Sequence, residues 1–258
     1  MMKQKKHKSN SSTANPKGSD NKKSQTGFSE ERVPTGIPGL DELMSGGFEK
    51  ESVNIVSGGA GTGKSIFAMQ FLVNGVTKFN QPGVFVTFEE EKKKVQKHML
   101  NLGWDLKKLE GEDKITIIEY TPEKVEQMLK EGGGDIEWTI TKTGAKRIVI
   151  DSLTAFSLLF HDELARRESM LSLFRIISRW GCTALLIVEH ESDFEKHEDL
   201  DIDFEADGII LLYYIRKGDV RNRALEILKL RGSKHASRIF PMKITDAGVR
   251  IYPDEAVF

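Results

Sequence analysis

A glycine-rich loop between an apolar run and a helix constrains this chain more than any other feature. Val53-Asn54-Ile55-Val56-Ser57 reads as a buried strand, and Ile66-Phe67-Ala68-Met69-Gln70-Phe71-Leu72 reads as a helix. Between them lie Gly58, Gly59, Ala60, Gly61, Thr62, Gly63, Lys64 and Ser65, which fit the phosphate-loop pattern G-x-x-x-x-G-K-[ST] in the strand-to-helix setting it requires. Glycines let the backbone turn its N–H groups inward around phosphate oxygens, and the helix N-terminus adds positive potential. In this arrangement Lys64 reaches the β- and γ-phosphates and the Ser65 hydroxyl ligates Mg²⁺. The expected ligand is therefore a nucleoside triphosphate, with Mg²⁺ as cofactor.

A second strand carries the matching carboxylate. Arg147-Ile148-Val149-Ile150-Asp151-Ser152 is an apolar run capped by an aspartate, the Walker B arrangement, about ninety residues after the loop. Asp151 is placed to hold Mg²⁺, directly or through water. Pro82-Gly83 turns the chain into a third run, Val84-Phe85-Val86-Thr87-Phe88, which ends in Glu89-Glu90-Glu91. Carboxylates at the carboxyl end of a central strand sit where open α/β sheets bind ligands. Glu89 or Glu90 could there deprotonate the attacking water, while Glu91 suits the N-terminus of the helix that follows. Adjacent strand residues face opposite ways, so the choice between Glu89 and Glu90 stays open.

The remaining punctuation is consistent with one α/β domain over residues 29–258. Pro34, Gly36, Pro38 and Gly39 set turns before a short amphipathic stretch at Leu40, Leu43 and Met44. Helices are expected over Lys92–Leu102, Glu123–Lys130, Ile136–Thr143 and Glu163–Arg179, with Gly132-Gly133-Gly134 as a joint. Short strands are expected at Ile115–Ile118 and Thr183–Val188. The latter runs into Glu189-His190-Glu191, where His190 either senses the γ-phosphate or caps a helix. Two turns, Arg216-Lys217-Gly218-Asp219 and Asp246-Ala247-Gly248, join antiparallel strands near the end of the chain.

Residues 1–28 differ from the rest. Lys3, Lys5, Lys6, Lys8, Lys17, Lys22 and Lys23 face the single acid Asp20, and little is present to bury. The segment is expected to be a disordered basic tail, either merely solvated or an arm for nucleic acid or an acidic partner. The whole chain has a formal charge of −1, which argues against general nucleic-acid binding. Residues 192–207 are strongly acidic and would repel DNA. The single cysteine, Cys182, opens an apolar strand and reads as a packing residue. No stretch approaches the ~20 apolar residues of a membrane span, so a soluble, cytoplasmic protein is expected.

The order of these elements resembles the RecA-like ATPases, and within them the KaiC family with its single-domain relatives. The likeness covers roughly Val33 to Pro253. It is carried by Pro82 to Glu90, Gly103-Trp104-Asp105-Leu106, Glu226-Ile227-Leu228-Lys229-Leu230-Arg231-Gly232 and Ile244-Thr245-Asp246. The resemblance implies a RecA-like fold, a mostly parallel sheet flanked by helices and finished by antiparallel strands. It implies that Glu89 and Glu90 are a catalytic pair, and that Lys229 and Arg231 reach the γ-phosphate of a neighbouring subunit. It further implies that His235 and Asp246 belong to that neighbour's nucleotide contact, and that the chain forms a ring, a homohexamer. The chain holds one phosphate loop, so the tandem arrangement of the clock protein itself is not expected. A DNA-binding recombinase and a kinase acting on itself or on a protein partner are the competing readings.

Overall fold

The computed structural model describes residues 31–190 and 204–257. The basic tail and most of the acidic stretch after Glu191 lie outside these residues. Strands β1 (Arg32–Val33) and β2 (Phe48–Glu49) form a small antiparallel pair beside the 3₁₀ turn Asp41–Met44. Then come β3 (Val53–Gly58), α1 (Lys64–Phe79), β4 (Gly83–Thr87), α2 (Lys92–Leu100), α3 (Leu106–Gly111) and β5 (Ile115–Glu119). Helices α4 (Pro122–Glu131) and α5 (Gly134–Thr143) lead to β6 (Arg147–Asp151), α6 (Leu153–Leu158), α7 (Glu163–Arg179) and β7 (Thr183–Glu189). The chain finishes with β8 (Gly208–Lys217), β9 (Val220–Leu230), β10 (Ile239–Thr245) and β11 (Gly248–Ile251).

One sheet of nine strands organises the molecule, in the order β11-β10-β9-β8-β3-β7-β6-β4-β5. The run from β8 to β5 is parallel, and β9, β10 and β11 are added antiparallel. Both faces are buried, which is why the central strands read as continuous apolar runs. Val149, Leu185 and Ile187 face α1, packed with Phe67, Phe71 and Leu72. Ile148, Ile150, Leu186 and Val188 face the other way, among Leu173, Phe174 and Ile177 of α7. This is the RecA-like α/β class expected from the sequence.

Local chemistry explains most of the boundaries. Asp105 caps α3 by accepting from the Lys108 N–H at 3.0 Å, and Asp162 caps α7 through the Leu164 N–H at 3.0 Å. The glycine joint 132–134 separates α4 from α5 as expected, with Gly132 in the left-handed conformation that ends α4. Helix α2 stops at Leu100, two residues earlier than its pattern suggested, and Asn101 to Gly103 form the turn. The small helices α3 and α6 and the β1–β2 pair were not anticipated, being too short to show a period. Among the described residues, no helix is long and apolar enough to cross a membrane.

One buried cation holds the end of the sheet opposite the phosphate loop. Arg147, at the start of β6, is fully buried. Its guanidinium donates to Phe71 O (2.8 Å), Pro34 O (2.9 Å) and Gln81 Oε1 (2.8 Å), and it stacks on the rings of Phe71 and Phe79. Burial lowers its pKa to about 10, which still leaves it charged at neutral pH. It thereby ties α1, the segment before it and the sheet into one unit. Arg147→Ala strands those acceptors without a donor and opens a cavity, a cost of about 3 kcal/mol or more. The thermal midpoint, followed by circular dichroism, is expected to fall by about 6–12 °C.

Candidate functional site

The parallel register brings four strand ends to one rim. Gly58 pairs with Glu189 across β3 and β7, and Thr87 pairs with Asp151 across β4 and β6. The Phe88 N–H donates to Asp151 O at 2.9 Å, continuing that ladder by one residue. The phosphate loop leaves this rim and enters α1. A Cβ on Gly58 would lie 2.5 Å from Leu212 O, so only glycine lets the loop leave β3 beside β8. Gly63 has φ +102° and is the N-cap of α1, with no side chain over the helix's first N–H groups. Those donors stay open for an anion.

Lys64 is only 7% exposed. Its ammonium donates to Gly59 O at 3.0 Å and lies 3.8 Å from Glu189 Oε1. Thr62 Oγ1 donates to the same Gly59 carbonyl at 2.9 Å. The lysine is thus folded onto its own loop, against a carboxylate from the end of β7. The Glu189 N–H in turn donates to Thr154 Oγ1 at 2.8 Å. A cavity of about 430 Å³ lies beyond this wall, lined in part by Thr154, Val188 and Glu189.

Asp151 is brought to Ser65, as the two-strand pattern required. Its carboxyl is pushed up to about 6, chiefly by burial; the neighbouring Glu89 and Glu189 charges add to this, while the Ser65 hydroxyl and Lys64 oppose it. A divalent cation between Ser65 and Asp151 fits this donor set: a hydroxyl and a crowded carboxylate, with phosphate oxygens expected opposite.

The two glutamates after β4 part company. Ser152 caps α6 by accepting from the Ala155 N–H at 3.1 Å, and its hydroxyl donates to Glu89 Oε1 at 2.7 Å. Glu89 therefore faces Asp151. The backbone of Glu90 is locked by Thr87 Oγ1, which donates to Glu90 O and accepts from the Glu90 N–H, both at 3.0 Å. Its carboxylate points to α2, with Oε1 2.8 Å from His98 Nδ1.

The remaining expected residues separate into two groups. Lys229, Arg231 and His235 lie at the other end of the sheet. The Arg231 N–H donates to Asp207 O (2.8 Å) and the Asp207 N–H donates to Val53 O (2.8 Å), which fixes Arg231 beside the first residue of β3. His235 is held locally, its Nδ1 3.2 Å from Ala236 O. Asp246 does not join them. Ile244, two residues earlier, packs so closely on Gly63 that a Cβ there would lie 2.9 Å from its Cδ1, so Asp246 belongs to the rim of its own phosphate loop. His190 also stays on this rim, its N–H donating to Gly58 O at 3.3 Å.

Three residues around the loop were missed from the sequence. Glu189 was passed over in favour of His190. Arg223 donates from Nε to Gly61 O at 2.9 Å, and its guanidinium lies 4.5 Å from the centre of the Tyr214 ring. Nothing in the β8–β9 pattern points to them, because only the hairpin register places Tyr214 opposite Arg223 beside the loop.

Comparison with known proteins agrees with this geometry. The family model described as "ATPase: KaiC" matches residues 33–256. The UPF0273 protein MJ1359 of Methanocaldococcus jannaschii is 35% identical over 239 residues, covering 88% of this chain and 98% of that protein. The circadian clock oscillator protein KaiC of Synechococcus elongatus is 37% identical over 234 residues. That match covers 86% of this chain but only 44% of the clock protein. The crystal structure of the KaiC-like protein PH0186 from Pyrococcus horikoshii superposes with a TM-score of 0.78 at 36% identity, covering 86% of this chain and 99% of that one. With a phosphate loop, a Walker B aspartate and a glutamate on one rim of a RecA-like sheet, and a family match over nearly all of the described fold, the chain belongs to the KaiC ATPase family.

Proposed function

We propose that this protein hydrolyses ATP with Mg²⁺ at a site completed by the adjacent subunit of a ring, and so works as a nucleotide-driven switch. The observation that carries the proposal is the meeting of Lys64, Ser65, Asp151 and Glu89 on one rim. The loop N–H groups and the first turn of α1 would bind the phosphates, with Lys64 exchanging Gly59 O and Glu189 for β- and γ-phosphate oxygens. Ser65 and Asp151 would hold Mg²⁺. When bound, that ion neutralises charge on the phosphoryl oxygens. Glu89, oriented by Ser152, is the better placed base for the attacking water; Glu90, turned to His98, would act on α2 and the rim.

Lys229 and Arg231 cannot serve this subunit's own phosphates. They sit at the Val53 end of β3, and the six residues of that strand put about 17 Å between its ends. A second subunit is the natural recipient. Two exposed apolar side chains flank the cations, Phe204 (71%) and Leu228 (37%), as expected of a face that is covered in an assembly. A guanidinium delivered across such a contact stabilises the charge that develops on the transferring group. A head-to-tail contact closes into a ring when its rotation divides a full turn, and the family resemblance suggests six subunits.

Three outcomes test this reading. Lys64→Ala should lose binding of a fluorescent ATP analogue, whereas Glu89→Gln should bind it normally and release phosphate about 10²–10⁴ times more slowly. Arg231→Ala subunits, slow alone, should regain activity when mixed with Lys64→Ala subunits, whose own sites are dead but whose arginine is intact. The third outcome concerns pH in the metal-free protein. A carboxyl raised in the folded state costs stability once ionised, so stability should fall as pH climbs from about 4 to 6. Asp151→Asn should therefore raise the unfolding free energy measured by urea titration at pH 8 by up to about 3 kcal/mol, and differ little from wild type near pH 4.

A further inference from the structure

Asp207, at the start of β8, makes more bonds than a strand end requires. Its N–H donates to Val53 O at 2.8 Å, and the Val53 N–H donates to its Oδ2 at 2.9 Å. The other carboxylate oxygen, Oδ1, lies 3.2 Å from Arg231 Nη1, and its carbonyl accepts from the Arg231 N–H at 2.8 Å. Three residues earlier, Phe204 O accepts from Arg231 Nη2 and, at 3.4 Å, from Lys229 Nζ. We infer that Asp207 is a positioning residue, fixing the Arg231 guanidinium to the first residue of the phosphate-loop strand so that it meets the neighbouring subunit's γ-phosphate in one orientation. The inference rests on the reading of Arg231 as a group that acts in trans.

Two physical points favour positioning over simple structural support. A half-exposed ion pair adds little to stability, so Oδ1 gains little there from a guanidinium. An unrestrained arginine has much rotamer entropy to lose whenever it engages a phosphate. Holding it in place beforehand removes that loss from the reaction. The guanidinium has five N–H donors; the carboxylate oxygen and the Phe204 carbonyl occupy one on each terminal nitrogen, and the rest stay available to an anion.

The test is Asp207→Asn, assayed beside Arg231→Ala, with assembly state and melting temperature as controls. The asparagine carbonyl can still accept from the Val53 N–H, but its NH₂ group then faces the guanidinium as donor to donor. We expect kcat for ATP hydrolysis to fall about tenfold with KM for ATP little changed, and mixing with Lys64→Ala subunits to restore the rate. In an Arg231→Ala background, Asp207→Asn should lower kcat no further. If Arg231→Ala is rescued by mixing but Asp207→Asn turns over like wild type, the positioning role is overturned while the in-trans reading stands. If Asp207→Asn is slow and not rescued, or slows the Arg231→Ala protein further, it acts through its own subunit and the inference also fails. If Arg231→Ala itself is not rescued, the in-trans reading is what fails.

Discussion

Everything at the site depends on the parallel pairing of β3, β7, β6 and β4. Their ends are aligned by backbone hydrogen bonds, so the residue that follows each strand arrives at the same rim whatever its distance in sequence. That is how a loop at 58–65, a glutamate at 89, an aspartate at 151 and a glutamate at 189 become neighbours. The burial of both sheet faces fixes this register, since a slip of one residue would turn Val149 or Leu185 into the wrong core. Arg147 secures the other end of the same strands through its three acceptors.

The consequence is a concentration of like charge. Asp151, Glu89 and Glu189 crowd one buried ammonium, and the Asp151 carboxyl is raised chiefly by its burial, with the Glu89 and Glu189 charges adding to it. Binding sites are built this way when a charged ligand supplies what is missing. Lys64 meets a loop carbonyl and Glu189, and in the proposed function it would exchange them for phosphate oxygens. Lys229 and Arg231, which we propose act on the next subunit, lie far from this crowd, at the opposite end of β3. In the proposed function, one strand thus joins two chemical roles and keeps them about 17 Å apart within a chain.

Much of this was legible in the sequence because the governing signals are local. The phosphate loop needs its glycines and its Lys-Ser pair in order, and the buried strands announce themselves as apolar runs ending in acids. The family resemblance supplied the interest in Lys229 and Arg231, which spacing alone could not have given. What stayed hidden depends on tertiary register. That Glu89 faces Asp151 while Glu90 faces His98 follows from how Ser152 and α2 are packed, not from the Glu-Glu pair itself. The resemblance groups Asp246 with His235 in one nucleotide contact, while the β9–β10 register places the two at opposite ends of the sheet within one chain. The bond between Asp207 and Arg231 spans a hairpin, and no residue-type rule links the two in sequence.

In the proposed function, a catalytic site exists only where two subunits meet. This is tested most directly by measuring phosphate release from Mg-ATP per subunit as the protein is diluted through its dissociation range, with mass measured in parallel and Lys64→Ala as the blank. Activity per subunit should fall together with the assembled fraction and reach the blank when only monomers remain. Monomers that release phosphate as fast as the assembly would contradict the proposal.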